Sequence, residues 1–272
     1  KIPLTPHTNN NEFNRRLVFM NKFKLLLLIA IFLIFFTDEA SAHRDSRATY
    51  EKTGNVIWEV KTDKKLVAIT FDDGPHPTFT PQILDILAKF DAKATFFVAG
   101  NKVERWPEIL KRTASEGHEI ANHTYSHIYS ARITSETLTN ELKKTDAIIQ
   151  KFTHQKTSLY RPVGGLYNNT IINTAVKNGK RVVLWSWNQD PHDWKNTPAS
   201  DISAYIKKGL SPGDIILLHD WHGSEYSTVS QTVKALEDVM DFLHQNGYKC
   251  VTVSELLYQS SQTIPDLMDP FK

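Results

Sequence analysis

The chain has 272 residues, of which 40% are hydrophobic, 11% aromatic and 23% charged, a mixture that can bury a core and excludes wholesale disorder. Lys and Arg number 32 against 30 Asp and Glu, so no basic excess marks a nucleic-acid surface, and no nucleic-acid partner is expected. The single cysteine, Cys250, excludes an intrachain disulfide scaffold and any multi-cysteine zinc module.

In chain order, residues 1–42 read as an upstream segment and leader. Lys22 and Lys24 precede an unbroken apolar run of 12 residues from Leu25 to Phe36, and the small-residue segment Ala40-Ser41-Ala42 follows. A charged start, a short apolar core and a small-residue exit make a secretory signal, with cleavage expected after Ala42. The run falls short of the roughly 20 residues that span a bilayer as a helix. Left uncut, it would attach the protein to a membrane. Met20 would be the natural start of such a signal, and residues 1–19 would then read as upstream sequence. The leader carries five cations and three anions, and 27 charges of each sign remain over residues 43–272. An exported chain without disulfides points to a secreted or envelope-associated bacterial protein.

Residues 43–64 are polar and read as a spacer, 65–258 as one domain and 259–272 as a peripheral tail. Within the domain, apolar runs alternate with helical patterns. Strands are predicted at Leu66–Phe71, Thr95–Val98, His118–Ala121, Arg181–Trp185, Asp214–Leu218 and Lys249–Val253, rich in the residues of strands buried on both faces. Helices are predicted at Pro81–Phe90, Trp106–Glu116, Ser135–Phe152, Thr170–Asn178, Ala199–Lys208 and Val229–Gln245. In the last, Val229, Val233, Leu236, Val239, Met240 and Leu243 recur at steps of three and four and mark a core-facing stripe. The alternation predicts a single α/β domain with a parallel sheet, either a barrel or an open sheet.

Three predicted strands run into polar clusters, the place where α/β domains gather functional groups. The first is Thr70-Phe71-Asp72-Asp73-Gly74-Pro75. Two adjacent carboxylates after an apolar strand need a cation between or beside them. The second is Asn122-His123-Thr124-Tyr125-Ser126-His127. Histidines at i and i+4 share one face of a helical turn, and with Asp73 they supply two nitrogens and one oxygen, a three-ligand open set of the kind found in catalytic zinc sites. The third is Leu217-Leu218-His219-Asp220, whose histidine can give or take a proton near neutral pH. Between them, Arg161 could pair a carboxylate, and Asp193-Trp194 could orient a histidine and offer a sugar a flat face. His118 reads as a hydrogen-bonded core histidine, Cys250 as buried and inert, and Trp187 and Trp221 as candidate sugar platforms. His76, His192 and His222 border the motifs without being read as ligands.

Together these residues resemble the polysaccharide deacetylases, the NodB-homology group of carbohydrate esterase family four. TFDDGP at Thr70–Pro75, HTxxH at His123–His127, an RPxxG segment at Arg161–Gly165, DxxDW at Asp190–Trp194 and LxHD at Leu217–Asp220 stand in the family's order. The likeness runs from Leu66 to Leu257. It implies a distorted (β/α) barrel of seven or eight strands. It also implies that Asp72 is the general base, that Asp73, His123 and His127 bind a divalent metal (zinc first, cobalt or another divalent ion otherwise), and that Arg161 holds the base in place. His219 would be the general acid, oriented by Asp193, with Trp194 beside it. Leu217 would line the pocket for the acetyl methyl, and the backbone N–H of Gly164 would serve the oxyanion. The third motif departs from the usual Arg-Pro-Pro-aromatic-Gly: Val163 replaces the second proline and Gly164 the aromatic, removing an aromatic wall. The segment from Trp185 to Gln189 is also about two residues longer than the common form.

The activity implied is metal-dependent removal of acetyl groups from N-acetylglucosamine-type residues of a wall polysaccharide, peptidoglycan first, by a monomer. A chitooligosaccharide deacetylase and an O-acetyl esterase of acetylxylan type are the alternatives with the same machinery. A non-catalytic carbohydrate-binding protein is the alternative from another class. Its signature would be a lost base, ligand or acid, and here Asp72, Asp73, His123, His127 and His219 are all present.

Overall fold

The computed structural model describes residues 47–261, so the segment read as a leader, its expected cleavage site and the chain beyond residue 261 lie outside the described residues. The chain divides into two units at Thr53–Gly54. In the first, residues 47–52 are helical. The second is the α/β domain. Among the described residues no helix is long and apolar enough to cross a membrane.

Among the described residues, eight strands, all parallel, build the domain: β1 (Val56–Ile57), β2 (Leu66–Asp72), β3 (Thr95–Val98), β4 (Glu119–Asn122), β5 (Leu159–Tyr160), β6 (Arg181–Val183), β7 (Ile215–His219) and β8 (Lys249–Cys250). Their order is β1-β6-β5-β4-β3-β2-β7, and β8 pairs with the start of β2. No ladder joins β1 to β7. The chain leaving β6 bridges the gap instead, with Ser186 N–H donating to the Ile215 carbonyl at 3.0 Å and Leu217 N–H to that of Gln189 at 2.9 Å. The sheet is therefore a distorted, incompletely laddered barrel. Helices α1 (Phe79–Lys89), α2 (Gly100–Arg105), α3 (Pro107–Ser115), α4 (Ser135–Thr153), α5 (Asn169–Lys177), α6 (Ala199–Gly209), α7 (Gln231–Gln245) and α8 (Val253–Ser261) complete the domain.

Strand side chains alternate between faces, and β2 shows what this does. Val67, Ile69 and Phe71 pack outward into a cluster with Ile83, Leu84 and Leu87 of α1 and Leu236, Val239 and Leu243 of α7. Leu66 and Ala68 point inward with Phe97, Ala121, Leu159, Val183 and Ile215. The same inward line continues through Thr70 to Asp72. The barrel interior is thus apolar below and polar at the carboxyl ends of the strands, where such domains carry their chemistry.

Each predicted strand and helix has an observed counterpart, with shifts at the ends. Four elements have no counterpart in the sequence pattern: β1, β5, α2 and α8. The first lies inside the segment read as a spacer, where Val56, Ile57, Trp58 and Val60 are buried. The last strand is shorter than predicted: only Lys249 and Cys250 pair, and Val253 opens α8 by donating its N–H to the Thr95 hydroxyl at 2.9 Å. That helix carries the fold past the predicted boundary at 258. Val229 does not belong to the core stripe of α7. It is 54% exposed, and Ser230 caps the helix by accepting the Val233 N–H at 3.2 Å.

Gly213 fixes the lower rim before β7. Its N–H donates to the Leu66 carbonyl at 2.7 Å, its carbonyl accepts from Val60 N–H at 2.9 Å, and its φ is +86°. A Cβ there would run into the Val60 carbonyl oxygen. Gly213→Ala is expected to destabilise the protein by about 2 kcal/mol or more, from the left-handed backbone and the collision together. Urea unfolding of the two proteins checks it, and an unchanged midpoint contradicts this placement of the turn.

Candidate active site

Asp73 leaves β2 with its N–H donated to the Phe97 carbonyl at 3.2 Å and its backbone in the left-handed region, φ +79°. Its Oδ1 lies 2.7 Å from Nε2 of His127 and 3.3 Å from Nε2 of His123. One ligand atom from each of the three lies within 4.8 Å of the others. The shared helical face expected from the i, i+4 spacing is not what brings the histidines together. The segment from His123 to His127 is a loop, with Thr124 at φ +69° and His127 at φ +57°. Two left-handed residues fold the four-residue spacing back on itself, and the ring centroids still come within 5.2 Å. Non-glycine residues in this region store strain, which clusters at functional sites.

The loop is held from outside the motif. Glu141 of α4 accepts the N–H groups of Tyr125 at 2.8 Å and Ser126 at 2.7 Å, and Asn122 Oδ1 accepts that of Thr124 at 2.9 Å. Sequence reasoning misses Glu141, because nothing in the spacing joins it to HTxxH. The Nδ1 of His123 is 2.7 Å from the Arg161 carbonyl oxygen. That bond requires Nδ1 to carry the proton, so in the neutral ring Nε2 turns a lone pair toward Asp73. Two acceptors facing one another at 3.3 Å fit a cation between them. Burial raises the Asp73 carboxyl, but a positive charge in that place does the opposite: Nε2 protons on His123 and His127, donated to Asp73, and the charge of His219 outweigh burial and hold the group well below the usual carboxylate range. Asp73, His123 and His127 therefore form a donor set suited to a divalent ion.

Asp72, the last residue of β2, is buried and faces inward. Its Oδ1 accepts from Nη1 of Arg161 at 2.7 Å. Arg161 is fully buried, and every nitrogen of its side chain donates: Nη1 also to the Thr70 hydroxyl at 2.7 Å, Nε to the Val183 carbonyl at 3.1 Å and Nη2 to that of Leu184 at 2.8 Å. The guanidinium lies 4.1 Å above the Phe97 ring. Burial draws its pKa below the ordinary value against the pull of Asp72, and a guanidinium remains charged under such a pull. The second oxygen of Asp72 lies 3.9 Å from Nε2 of His123, on the side of the triad.

His219 ends β7 in register with Asp72. Its Nδ1 donates to Oδ1 of Asp193 at 2.7 Å, and its backbone N–H to Oδ2 at 2.8 Å. The Thr232 hydroxyl completes the cage around Asp193 at 2.7 Å. Burial works against the imidazolium, but Asp193, then Asp73 and Asp72, carry the His219 pKa up to about 10. Leu217, two residues earlier and in register with Thr70, presents a buried side chain on the same face.

Gly164 and Trp194 sit on separate turns. Gly164 has φ +64°, and the ring of Tyr129 lies where its Cβ would be. This exposed tyrosine, two residues past His127, carries no signal in the motifs. It occupies the space beside the third motif, where the usual aromatic is missing. Trp194 is half exposed and stacks on His192 rather than on Asp193, at 6.0 Å and 16°. Of the histidines not read as ligands, His76 accepts the N–H groups of Thr78 and Phe79 at the start of α1, and His222 pairs with Asn196. His118 is buried and accepts the Ala94 N–H, the hydrogen-bonded core histidine expected of its apolar setting.

A family model for polysaccharide deacetylase matches residues 59–183. The chain is 44% identical over 211 residues to a peptidoglycan-N-acetylglucosamine deacetylase of Bacillus cereus, covering 78% of this chain and 97% of that one. It is 34% identical over 199 residues to a chitooligosaccharide deacetylase of Rhizobium leguminosarum bv. trifolii, covering 70% and 91%. Among solved structures it is similar to the Bc1960 peptidoglycan N-acetylglucosamine deacetylase in complex with 4-naphthalen-1-yl-N-oxidanyl-benzamide. The TM-score is 0.69 at 33% identity, over 75% of this chain and 93% of that one.

The contacts around His219 carry a consequence for pH. Asp193→Asn keeps the shape of the cage but removes its charge, so the His219 titration should fall by about 1–3 pH units. Histidine ring NMR of parent and variant reads it directly, and coincident titrations contradict the assigned role of Asp193.

Proposed function

Because the chain belongs to the polysaccharide deacetylases, carbohydrate esterase family four, we propose that it hydrolyses N-acetyl groups of N-acetylglucosamine residues in peptidoglycan, releasing acetate and leaving a free amine. One observation carries the assignment of roles. Asp72 and His219 are neighbours in register at the strand ends, one clamped by buried Arg161 and the other by buried Asp193, beside the Asp73, His123 and His127 set.

In this reading the three ligands hold a divalent ion, zinc by its donor set of two nitrogens and one oxygen. When bound, the ion supplies Lewis-acid polarisation of the scissile carbonyl and eases loss of a proton from water. Asp72 accepts that proton through the oxygen Arg161 leaves free. The water oxygen bonds to the carbonyl carbon, and the Gly164 N–H donates to the oxygen where charge develops, a donor worth about 3–4 kcal/mol in sites of this kind. His219, protonated against Asp193, gives its proton to the nitrogen as the C–N bond breaks. Leu217 walls the acetyl methyl, and the exposed face of Trp194 meets the sugar. The leader is read as directing this enzyme, a monomer, to the outside of a bacterial cell or to its envelope. The complete acid, base and ligand set argues against a non-catalytic role.

Asp72→Asn should retain the metal and lose about 10²–10⁴-fold in turnover, as removal of a general base does. His123→Ala should lose both. Acetate release from peptidoglycan, chitooligosaccharide and acetylxylan, alongside metal content, checks these together. Chelator should abolish release and added zinc restore it. Turnover by Asp72→Asn within a few-fold of the parent would overturn the role of the base.

A further inference from the structure

A cluster beside the triad takes no part in the steps above. Lys102, on the short helix α2, places its Nζ 3.6 Å from the centroid of the Trp221 ring. Trp221 stands two residues beyond His219. Its indole is fixed by His76, edge-on at 5.0 Å, and by Trp106 at 5.4 Å, with its own N–H donated to the Gly223 carbonyl. Arg105 covers the Trp106 ring at 4.6 Å and is paired with Glu225. Helix α2 hangs from the histidine loop: Gly100 N–H donates to the Thr124 carbonyl and Asn101 N–H to that of Tyr125, both at 3.0 Å. The ammonium is thereby built into the border of the metal-ligand set.

Its surroundings leave it without an acceptor. Among the described residues no carboxylate or carbonyl oxygen lies within hydrogen-bond distance of Lys102 Nζ. Asp73 and Asp220 are near enough for their charge to be felt, but neither pairs with the ammonium: Asp73 is taken by the two histidines, and Asp220 accepts from the Thr80 hydroxyl through Oδ2 at 2.6 Å and keeps its Oδ1 buried without a hydrogen-bond partner. An ammonium stripped of part of its water, resting on an indole with no protein oxygen accepting from it, is a receptor for an anionic oxygen. Hydroxyls of a neutral N-acetyl sugar would return only a weak bond. A carboxylate would return a charge-assisted one.

We propose that Lys102 on the Trp221 platform is a specificity site for a carboxylate carried by the sugar next to the one being deacetylated. A glycan whose alternate sugars bear an O-linked carboxyalkyl group has such a carboxylate wherever no peptide caps it as an amide, and chitin does not. The proposal rests on the deacetylase reading above and narrows its substrate to wall glycan with uncapped carboxylates.

Three probes separate the outcomes: peptide-free peptidoglycan strands with free carboxylates, the same strands as methyl esters, and chitooligosaccharide. The parent should favour free acid over ester, and Lys102→Met should lower that preference about tenfold, chiefly through KM, as expected for one lost charge-assisted hydrogen bond. Lys102→Arg should keep most of it. Titrating the same strands into parent and Lys102→Met while following tryptophan fluorescence gives a readout independent of turnover. Equal loss on acid, ester and chitooligosaccharide, or no preference in the parent, overturns the proposal and leaves the deacetylase reading standing. No turnover of any probe by the parent overturns that reading. In that case acid-selective quenching abolished in Lys102→Met still supports the carboxylate site, and its absence rejects it.

Discussion

The buried pair of Arg161 and Asp72 is the constraint around which the site is arranged. A guanidinium removed from water costs several kcal/mol unless its donors and charge are matched. Here every side-chain nitrogen is matched, with a carboxylate, a hydroxyl and two main-chain carbonyls receiving it. Those partners come from β2, β6 and the chain just after β6, so one side chain spans the barrel interior. The same residue works through its backbone as well. Its N–H donates to the Asn122 carbonyl at 3.0 Å, and its own carbonyl receives His123 Nδ1. Arg161 thus sets which oxygen of Asp72 is spoken for and which nitrogen of His123 is free. Removing it would leave a buried carboxylate without its counter-ion, a loss of about 3–5 kcal/mol in comparable pairs.

The rest of the site follows from strand periodicity. On β2 the inward line is Leu66, Ala68, Thr70 and Asp72, and on β7 it is Ile215, Leu217 and His219. Core packing by the lower members fixes the register, and a slip of one residue would turn every member outward. Placement of base and acid is therefore a by-product of burying Leu66, Ala68 and Ile215. Asp73 escapes the alternation because it lies beyond the last paired residue, where a left-handed backbone swings it toward the histidines. The contrast between regular strand and strained turn separates the group that moves a proton from the group that holds an ion.

Much of this is legible in the sequence because it is local. Runs of four or more apolar residues announce β2, β3 and β7, and the helices of nine residues or more show their periods except α8, whose start reads as the end of the last strand. The two-residue strands β1 and β5 carry no period at all, and pairing with neighbours alone makes them strands. The six-residue α2 is too short to show a stripe, which also hides Lys102. Local reading goes astray at His123 and His127, where a spacing that suits a helix is realised by a loop. What decides between them is Glu141, fourteen residues further on, capturing the loop N–H groups. Tyr129 is invisible for the same reason: its role depends on the absence of a Cβ at Gly164, in another motif. Groups that carry charge stand out along the chain, and the partners that aim them emerge only when distant segments meet.

Those partners also explain how two titratable groups so close together can serve opposite ends of one reaction. Asp72 and His219 are adjacent in register, so their mutual field tends to draw both into a plain ion pair. The barrel resists this by giving each a nearer partner of the opposite sign. The guanidinium of Arg161 takes one oxygen of Asp72, and Asp193 takes the Nδ1 proton of His219. Each partner is itself held by further hydrogen bonds: Arg161 by Thr70 and two carbonyls, Asp193 by the His219 N–H and Thr232. Neither is then free to satisfy the other's client, and the remaining valence of each pair, one carboxylate oxygen and one imidazole N–H, is left for substrate. Proton acceptance and proton donation are held apart by these separate hydrogen-bonded partners rather than by distance, and this permits both to sit at the mouth of one narrow barrel beside a single ion.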